Sequence, residues 1–310
     1  MSVQGLSVRF RAAGGRQVAA VTDARFDLAA GECLALVGES GCGKSVLASA
    51  LLGLLPRNAE VAGRAVLQDG LDLTTAGERI LARTVRGRRV GLVPQSPATH
   101  LTPVRTVRAH MKETVRALTG VRRAGLRPAV EAAATRAAYP LDHLDRYPHE
   151  LSGGLAQRAA TALALVGEAP LLIADEPTTG LDRDLVERTV DELRTHADRG
   201  HGLLMITHDL AAAARIADNV AVMYAGRIVE ISKAHRFFGD PGPRHPYARA
   251  LLDALPERAF TPIPGTPPPL TSLPSGCAFA ERCPRADTRC VTRPEFAGDL
   301  ACHHPEQPRA

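Results

Sequence analysis

A glycine-rich segment early in the chain has the residue types that bind phosphate groups. Residues 38–45 read GESGCGKS and match the pattern G-x-x-x-x-G-K-[ST]. Glycines let the backbone approach an anion closely, and a following helix points its first N–H groups at that anion. The ammonium of Lys44 would contact the outer phosphates, and the hydroxyl of Ser45 would bind Mg²⁺. The predicted nucleotide contacts are Gly38, Glu39, Ser40, Gly41, Cys42, Gly43, Lys44, Ser45 and Val46.

A pair of acids later in the chain could activate water. Residues 171–176 read LLIADE, so two carboxylates follow an apolar run that predicts a buried strand. Asp175 would hold Mg²⁺ through water, and Glu176 would act as the general base for an attacking water molecule. An acid pair followed by PTTGLD at 177–182 is a more specific pattern than one acid at a strand end. The two motifs together predict hydrolysis of a bound nucleoside triphosphate.

Four of the six cysteines lie close together near the C-terminus. Thiolates from one short, loop-rich segment can enclose a metal centre, which would stabilise a segment too small for its own core. Their spacing is wider than the close cysteine pairs of zinc sites, whereas iron–sulfur clusters accept four cysteines at varied spacing. His303 or His304 could replace Cys302 as a ligand, and zinc, two disulfides and four free thiols remain alternatives to the cluster. The cysteines are Cys277, Cys283, Cys290 and Cys302.

Strands and helices alternate around these groups. An apolar strand over Cys33–Val37 leads into the glycine-rich loop and a helix over Ser45–Leu55 follows it, which argues against an incidental glycine-rich turn. Strands that alternate with helices predict an α/β fold with a mainly parallel sheet. Other strands are predicted at Leu6–Phe10, at Arg25–Leu28, within 61–95 ending at Val90–Val93, and at 171–175 and 203–207, and a β-hairpin is predicted over 219–231. Other helices are predicted within 100–148 and at 151–167, 183–198 and 209–217.

The composition excludes several classes of protein. With 45% hydrophobic and 23% charged residues among 310, the chain has the composition of a globular protein and not of a disordered one. No apolar stretch reaches the roughly 18 residues of a membrane span, and the N-terminus lacks the apolar core of a signal peptide. The net charge of +5 does not indicate nucleic-acid binding, because no basic run is interleaved with aromatic residues. We therefore expect a cytosolic chain, or one that partners hold at a membrane.

Further short motifs make the chain resemble the ATPases of ABC transporters. LSGG at 151–154 is similar to the signature motif of that family, TGLD at 179–182 to its D-loop, and His208 in MITHD to its switch histidine. Gln95, after the predicted Val90–Val93 strand, resembles the residue of the glutamine loop. The resemblance implies a P-loop ABC ATPase fold, in which an antiparallel β subdomain and an inserted helical subdomain accompany the parallel sheet.

The same resemblance suggests how the chain is divided into domains. It implies an ABC ATPase domain over residues 1–255, with the helical subdomain at about 96–160. A Pro-rich linker and a Cys-rich extension are expected over 256–310, because prolines are dense from Pro256 to Pro274.

Individual roles follow from the resemblance. The implied Mg²⁺ ligands are Ser45, Gln95 and Asp175, and the implied catalytic residues are Lys44, Glu176 and His208. The signature segment would cap a nucleotide bound on a second subunit, and the residues concerned are Ser152, Gly153 and Gly154, with Asp182 of the D-loop. The sequence departs from the family at Leu155, where glutamine is commoner. It also lacks an aromatic residue in register to stack on adenine, for which Phe10 and Val18 are the candidates.

The end of the chain narrows the resemblance to one branch of the family. HPYARALLDALP at 245–256, with the Pro-rich and Cys-rich segments after it, resembles the ATPases of peptide and nickel importers. The resemblance implies uptake of peptides, nickel or metal chelates, and a 4Fe–4S cluster on the four cysteines. The implied partners are a second, different ATPase subunit, two transmembrane permease subunits and a solute-binding protein outside the cell. The chain would then lie on the cytoplasmic face of the cell membrane.

Two other functions compete with an importer. An ABC ATPase that acts on nucleic acid would typically carry two cassettes or long coiled-coil insertions, and the sequence has neither, so nucleic acid is not an expected partner. A redox module built on the cysteines and switched by nucleotide is the third alternative, but no partner cofactor motif accompanies the cysteines.

Overall fold

The structure, a computed structural model, describes residues 1–11, 13–15 and 17–306 of the chain. The strands within these residues are β1 (Ser2–Arg11), β2 (Gln17–Asp27), β3 (Cys33–Val37), β4 (Ala59–Val66), β5 (Val90–Val93), β6 (Leu171–Asp175), β7 (Gly202–Thr207), β8 (Asn219–Tyr224) and β9 (Arg227–Lys233). The helices are α1 (Lys44–Leu51), α2 (Glu78–Ile80), α3 (Pro97–His100), α4 (Val107–Thr119), α5 (Leu126–Arg136), α6 (Gly153–Leu165), α7 (Arg183–Asp198), α8 (Leu210–Ile216), α9 (Ala234–Phe238) and α10 (Pro246–Asp253). Over the described ranges, every helix is too short or too polar to span a bilayer.

The first of two compact units combines residues 1–27 and 34–76 with the chain from Thr207 onward. Within it, β1 pairs antiparallel with β2 and β4, while β8 pairs in parallel with β3 and antiparallel with β9. Every residue of β3 is buried, as expected of a parallel strand covered on both faces. The core of this unit includes an aromatic group made of Tyr224, Phe237, Tyr247 and Phe279.

The second unit consists of residues 28–33 and 77–206. Its strands β5, β6 and β7 form parallel pairs, and every residue of β6 is buried. Helices α4, α5 and α6 pack around a separate core that includes Met111, Val130 and Ala159. The hydroxyl of Thr106 begins α4 by accepting a hydrogen bond from the N–H of Ala109 (3.2 Å).

Alternating strands and helices confirm the predicted α/β fold. The strands at Cys33–Val37, Val90–Val93 and 171–175 and the helix at 183–198 have the predicted bounds. The predicted β character of 61–95 is wrong over Glu78–Val85, where α2 continues into a π-helical turn. The buried residues of that turn, Leu81 and Val85, are four residues apart, which is the spacing of one helix face.

The C-terminal extension, residues 256–306, belongs to the first unit. Residues 256–274 form neither helix nor strand, yet Ile263 and Leu273 pack against the core of that unit. Farther along, the N–H of Ala301 donates to the carbonyl of Val229 in β9 (2.8 Å). The domain boundary after residue 255 stays a prediction, and residues 307–310 of the predicted extension lie outside the described residues.

Candidate nucleotide-binding site

The glycine-rich loop connects β3 to α1 in the first unit, as predicted. Gly38 and Gly43 have φ angles of +155° and +108°, in the region that favours glycine. A Cβ atom on Gly38 would lie 2.2 Å from the carbonyl oxygen of Met223, and one on Gly43 would lie 2.2 Å from that of Ala20. Only glycine therefore allows the loop to curl this tightly, which leaves a cradle of backbone groups that fits a phosphate.

Lys44 points its ammonium into this loop. The side chain is buried, and Nζ donates to the carbonyl oxygens of Gly38 (2.7 Å) and Glu39 (3.1 Å). The N-cap residue of α1 is Gly43, which has no side chain with which to cap the first N–H groups of the helix. A positive charge and an uncapped helix N-terminus together suit an anion such as a triphosphate.

Glu39 has two partners that the sequence does not reveal. Its N–H donates to the hydroxyl of Tyr247 (2.9 Å), and its carboxylate pairs with Arg282 of the C-terminal extension. Tyr247 belongs to the HPYARALLDALP segment, whose sequence resembles that of importer ATPases. That resemblance assigns no role to Tyr247. No signal in the sequence indicates the role of Arg282.

The predicted acids lie at the end of β6 in the second unit. Asp175 is 5% exposed and Glu176 is 7% exposed, so both carboxyl groups are withdrawn from bulk water. The backbone of Glu176 has a φ angle of +51°, and its N–H donates to the carbonyl of Ile206 in β7 (2.8 Å). A non-glycine residue in this conformation is uncommon and is often found at functional sites. Buried carboxylates of this kind can bind a divalent cation or accept a proton.

The signature segment begins α6 in the second unit. The hydroxyl of Ser152 is the N-cap and accepts from the N–H of Leu155 (3.3 Å). A Cβ atom on Gly153 would meet no atom within 4 Å, whereas one on Gly154 would lie 3.0 Å from the carbonyl oxygen of Gly180. Gly153 therefore faces open space at the start of a helix, where an anion from another subunit can approach.

The remaining predicted residues lie after strands or before a helix. Gln95 is exposed two residues after β5, and His208 is exposed directly after β7. Asp182 is the N-cap of α7, where its carboxylate accepts from the N–H of Leu185 (3.0 Å). Each residue thus has the local position that the sequence predicts, while the functional roles stay predictions.

The four cysteines of the extension are free thiols that interact electrostatically with one another. Burial raises the pKa of the Cys277 and Cys283 thiols, and raises that of Cys302 to about 11, with the neighbouring cysteines adding to each shift. The N–H of His304 donates to Sγ of Cys302 (3.3 Å). Burial and the neighbouring sulfurs disfavour the thiolate forms of Cys277, Cys283 and Cys302 unless a cation is bound, so the donor set fits a metal centre.

The spacing of these sulfurs limits which centre they fit. Among the residues that the structure describes, the one group of three metal-binding side chains with ligand atoms within 4.8 Å of one another is Asp287, Cys290 and His304. Sulfurs around one zinc ion would be roughly 4 Å apart, because Zn–S bonds are about 2.3 Å. The four cysteines are therefore not gathered at the spacing of a tetrahedral zinc site.

The profile of the family described as ABC transporter matches residues 21–179, which is half of the chain. The chain belongs to the ABC transporter family. A second profile, described as the C-terminal region of oligopeptide and dipeptide transporters, matches residues 229–290. The resemblance inferred from the motifs is thereby confirmed, and with it the predicted ATP hydrolysis.

Relatives and solved structures agree with this membership. The chain is 39% identical over 301 residues to the dipeptide transport ATP-binding protein DppD of Bacillus subtilis, covering 94% of this chain and 88% of that protein. It is 43% identical over 289 residues to a probable peptide ABC transporter ATP-binding protein of Sinorhizobium fredii, covering 90% and 85%. A dimeric ATP-binding cassette bound to ADP and Pi is similar in structure, with a TM-score of 0.68 and 21% identity over 75% of this chain and 98% of that one. This likeness confirms the predicted P-loop ABC fold.

Proposed function

We propose that this ABC ATPase energises the uptake of peptides. The observation that carries the proposal is the C-terminal region typical of oligopeptide and dipeptide transporters, which is built into the same unit as the phosphate loop. At its centre the Glu230 carboxylate accepts from the N–H groups of Arg244 (3.0 Å) and His245 (2.7 Å), which positions α10. The names of the relatives refer to dipeptides and peptides, which favours peptides over nickel or metal chelates.

In this proposal the predicted residues act on ATP with Mg²⁺. The loop from Gly38 to Val46 would hold the phosphates, with Lys44 neutralising their charge. Bound Mg²⁺ would screen the phosphate oxygens, and Ser45, Gln95 and Asp175 would be its protein contacts. Glu176 would accept a proton from the attacking water.

Two further kinds of contact to the nucleotide are implied, one from the switch histidine and one from residues that would act across a subunit interface. His208 would contact the γ-phosphate. The residues that would contact the nucleotide of a second subunit are Ser152, Gly153, Gly154 and Asp182.

Turnover would require a second ATPase subunit, which we infer to be a different chain. The open space at Gly153 allows a test, because an aspartate there fits the first turn of α6 yet repels a phosphate. Gly153→Asp should abolish turnover and leave ATP binding by the isolated chain unchanged, as measured by calorimetry. Gly77→Asp, at the start of α2 with no atom within 4 Å of its Cβ, is the matched control. Loss of ATP binding by the isolated Gly153 variant would show that the residue acts within its own subunit.

Transport itself tests the choice of solute. The chain would act on the cytoplasmic face of the cell membrane with two permease subunits and an external solute-binding protein. Cells that express the whole assembly should take up labelled peptides, and the same assembly with Glu176→Gln should not. Uptake of nickel without peptides would contradict the proposed solute. Co-purification with nucleic acid instead of permease subunits would favour the alternative ABC function.

The cysteines of the extension would hold a 4Fe–4S cluster with a structural role. Two observations favour this assignment over zinc. The four free cysteines are widely spaced along the sequence, and among the described residues only Cys290 of the four belongs to a group of three metal-binding side chains with ligand atoms within 4.8 Å of one another. Protein purified without oxygen should be brown and contain about four irons per chain. Cys290→Ser should lose most of the iron, whereas Cys33→Ala, in β3, should keep it. A colourless preparation with one zinc per chain would contradict the cluster and point to Asp287, Cys290 and His304.

A further inference from the structure

Arg282 reaches from the C-terminal extension to the phosphate loop. Its Nη1 donates to Oε2 of Glu39 (2.8 Å) and its Nη2 donates to Oε1 (2.9 Å), so the ion pair is bidentate. The Arg282 side chain is 4% exposed and that of Glu39 is 26% exposed. Solvent therefore screens this pair far less than a surface salt bridge.

The buried guanidinium is held in place by further contacts. Its Nε donates to the carbonyl oxygen of Pro264 (2.8 Å), and its Nη1 also donates to the hydroxyl of Tyr224 (3.1 Å). The guanidinium carbon lies 5.7 Å from the ring centroid of Tyr224 and 5.8 Å from that of Phe279. Arg282 is thus a preorganised cation aimed at one carboxylate.

Glu39 is in turn held at each of its polar groups. Its carboxylate accepts from Arg282, its N–H donates to Tyr247, and its carbonyl oxygen accepts from Nζ of Lys44. Lys44 is the residue that would contact the outer phosphates of ATP. The position of Glu39 therefore bears directly on the geometry of the loop around the phosphates.

Glu39 also presents an electrostatic problem for a phosphate site. It places a carboxylate within the loop that would bind a triphosphate, and like charges repel. A buried partner of opposite charge removes that repulsion without blocking the loop. Arg282 is placed to do so, because both carboxylate oxygens of Glu39 bind its guanidinium.

We propose that Arg282 is a positioning residue of the nucleotide site, which neutralises Glu39 and fixes the entrance of the phosphate loop. The C-terminal extension is then a working part of ATP binding. The proposal rests on the nucleotide site proposed above, and it adds a residue 243 positions away from Glu39.

Nucleotide affinity of the isolated chain tests this role. Arg282→Gln should weaken ATP binding by roughly 5- to 150-fold, the usual range for coupling between sites. The loss should be smaller for ADP and absent for adenosine, because it arises from repulsion between carboxylate and phosphates. Arg285→Gln, at an exposed arginine of the same extension, should bind ATP like the wild type. Equal losses for ATP and adenosine would contradict the proposal, since they would indicate structural damage.

Removal of the carboxylate provides the sharper result. The double variant Glu39→Gln with Arg282→Gln should recover most of the ATP affinity that Arg282→Gln alone loses, because no unpaired carboxylate remains in the loop to repel phosphate. A double variant no better than the single variant would overturn the proposal. If Arg282→Gln does not fold, Arg282→Lys serves instead. Because lysine keeps the positive charge, this variant should keep the wild-type ratio of ATP affinity to adenosine affinity. A lowered ratio would count against neutralisation of Glu39 as the role of Arg282. Lys44→Ala distinguishes failure of this proposal from failure of the proposed nucleotide site. Normal ATP binding by the Lys44 variant would refute the nucleotide site itself.

Discussion

The phosphate loop and the C-terminal extension meet at Glu39, but they are built in different ways. The loop takes its shape from consecutive residues, with glycines at the points where a Cβ atom would strike the backbone. Over its described residues, 256–306, the extension has only short 3₁₀ turns, such as Ala280–Arg282, and depends on contacts with distant residues. Arg282 binds Glu39, and Ala301 binds Val229. A sequence motif is therefore almost sufficient to predict the shape of the loop. The contacts of the extension, in contrast, can be identified only in the folded structure.

This difference predicts how each region responds to change. Residues recognised from motifs should each have a large and separate effect on catalysis or nucleotide binding. Residues of the extension should act through the partners that they hold. The following expectations test that distinction.

Glu176→Gln should give the largest effect, as expected for a residue recognised from a motif. The hydrolysis rate should fall by about 10²- to 10⁴-fold, because the attacking water loses its general base. ATP binding should stay close to that of the wild type, since the phosphate loop is unchanged. Steady-state hydrolysis with the partner subunits present measures the effect, with Glu187→Gln on the exposed face of α7 as control. A wild-type rate would remove Glu176 from its assigned role.

Gly43→Ala should weaken nucleotide binding by about 10- to 100-fold. The new Cβ would lie 2.2 Å from the carbonyl oxygen of Ala20, so the loop must distort at a cost of roughly 1–3 kcal/mol. Gly70→Ala carries a similar backbone strain, with φ at +86°, but has no atom within 4 Å and lies outside the loop. Calorimetric titration with ATP should therefore separate the two variants. Equal affinities would show that the loop tolerates distortion.

The sequence predicts the positions of the phosphate-site motifs in the fold well because the determinants of those positions are local. The strand Cys33–Val37, the loop after it and the acids at the end of β6 are all where the motifs place them. The partner of Glu39 could not be predicted in this way. The chain contains 38 lysines and arginines, and no spacing rule connects a residue of the loop to Arg282.

The prediction of secondary structure is limited in the same way by contacts with distant parts of the chain. Residues 78–85 lie within the 61–95 region for which the sequence predicts β character. The segment 78–85 folds instead as α2 and a π-helical turn, because Leu81 and Val85 bury on one face. Burial on a particular face depends on the rest of the fold, which a short window of sequence does not contain.

We expect low pH to destabilise the residues that support the C-terminal extension and not the phosphate loop. His245 begins α10, and its ring centroid lies 6.0 Å from that of Phe279 in the extension. Burial lowers the pKa of His245 from 6.5 to about 4, so its contribution to stability is present above pH 6.5 and is lost as the pH falls towards 4. We expect about 2 kcal/mol less stability at pH 5 than at pH 8 from this group. Burial raises the pKa of the neighbouring Glu230, whose protonation offsets part of the loss.

Chemical unfolding in urea at pH 8 and pH 5 measures this effect. His245→Asn keeps a side chain that can cap a helix but cannot become charged, so it should reduce the difference in stability between the two pH values. An unchanged difference in the variant would assign the acid sensitivity to other groups. His196 in α7 is the comparison, because burial also lowers its pKa to about 4 in the second unit.

Phe10→Ala should give the smallest effect, and it separates recognition of the base from recognition of the phosphates. Phe10 and Val18 are direct cross-strand partners in β1 and β2, and both side chains are half-buried. If these two candidates from the sequence are the adenine contacts, the pair would present an apolar surface to the base. Loss of the aromatic ring should weaken ATP binding by roughly 3- to 10-fold, since such ring contacts contribute about 0.5–1.5 kcal/mol. Binding of inorganic triphosphate should not change, whereas Gly43→Ala should weaken both ligands. Val61→Ala, at an exposed position of β4 in the same sheet, is the control. Equal weakening of ATP and inorganic triphosphate by Phe10→Ala would show that this surface supports the loop and does not contact the base.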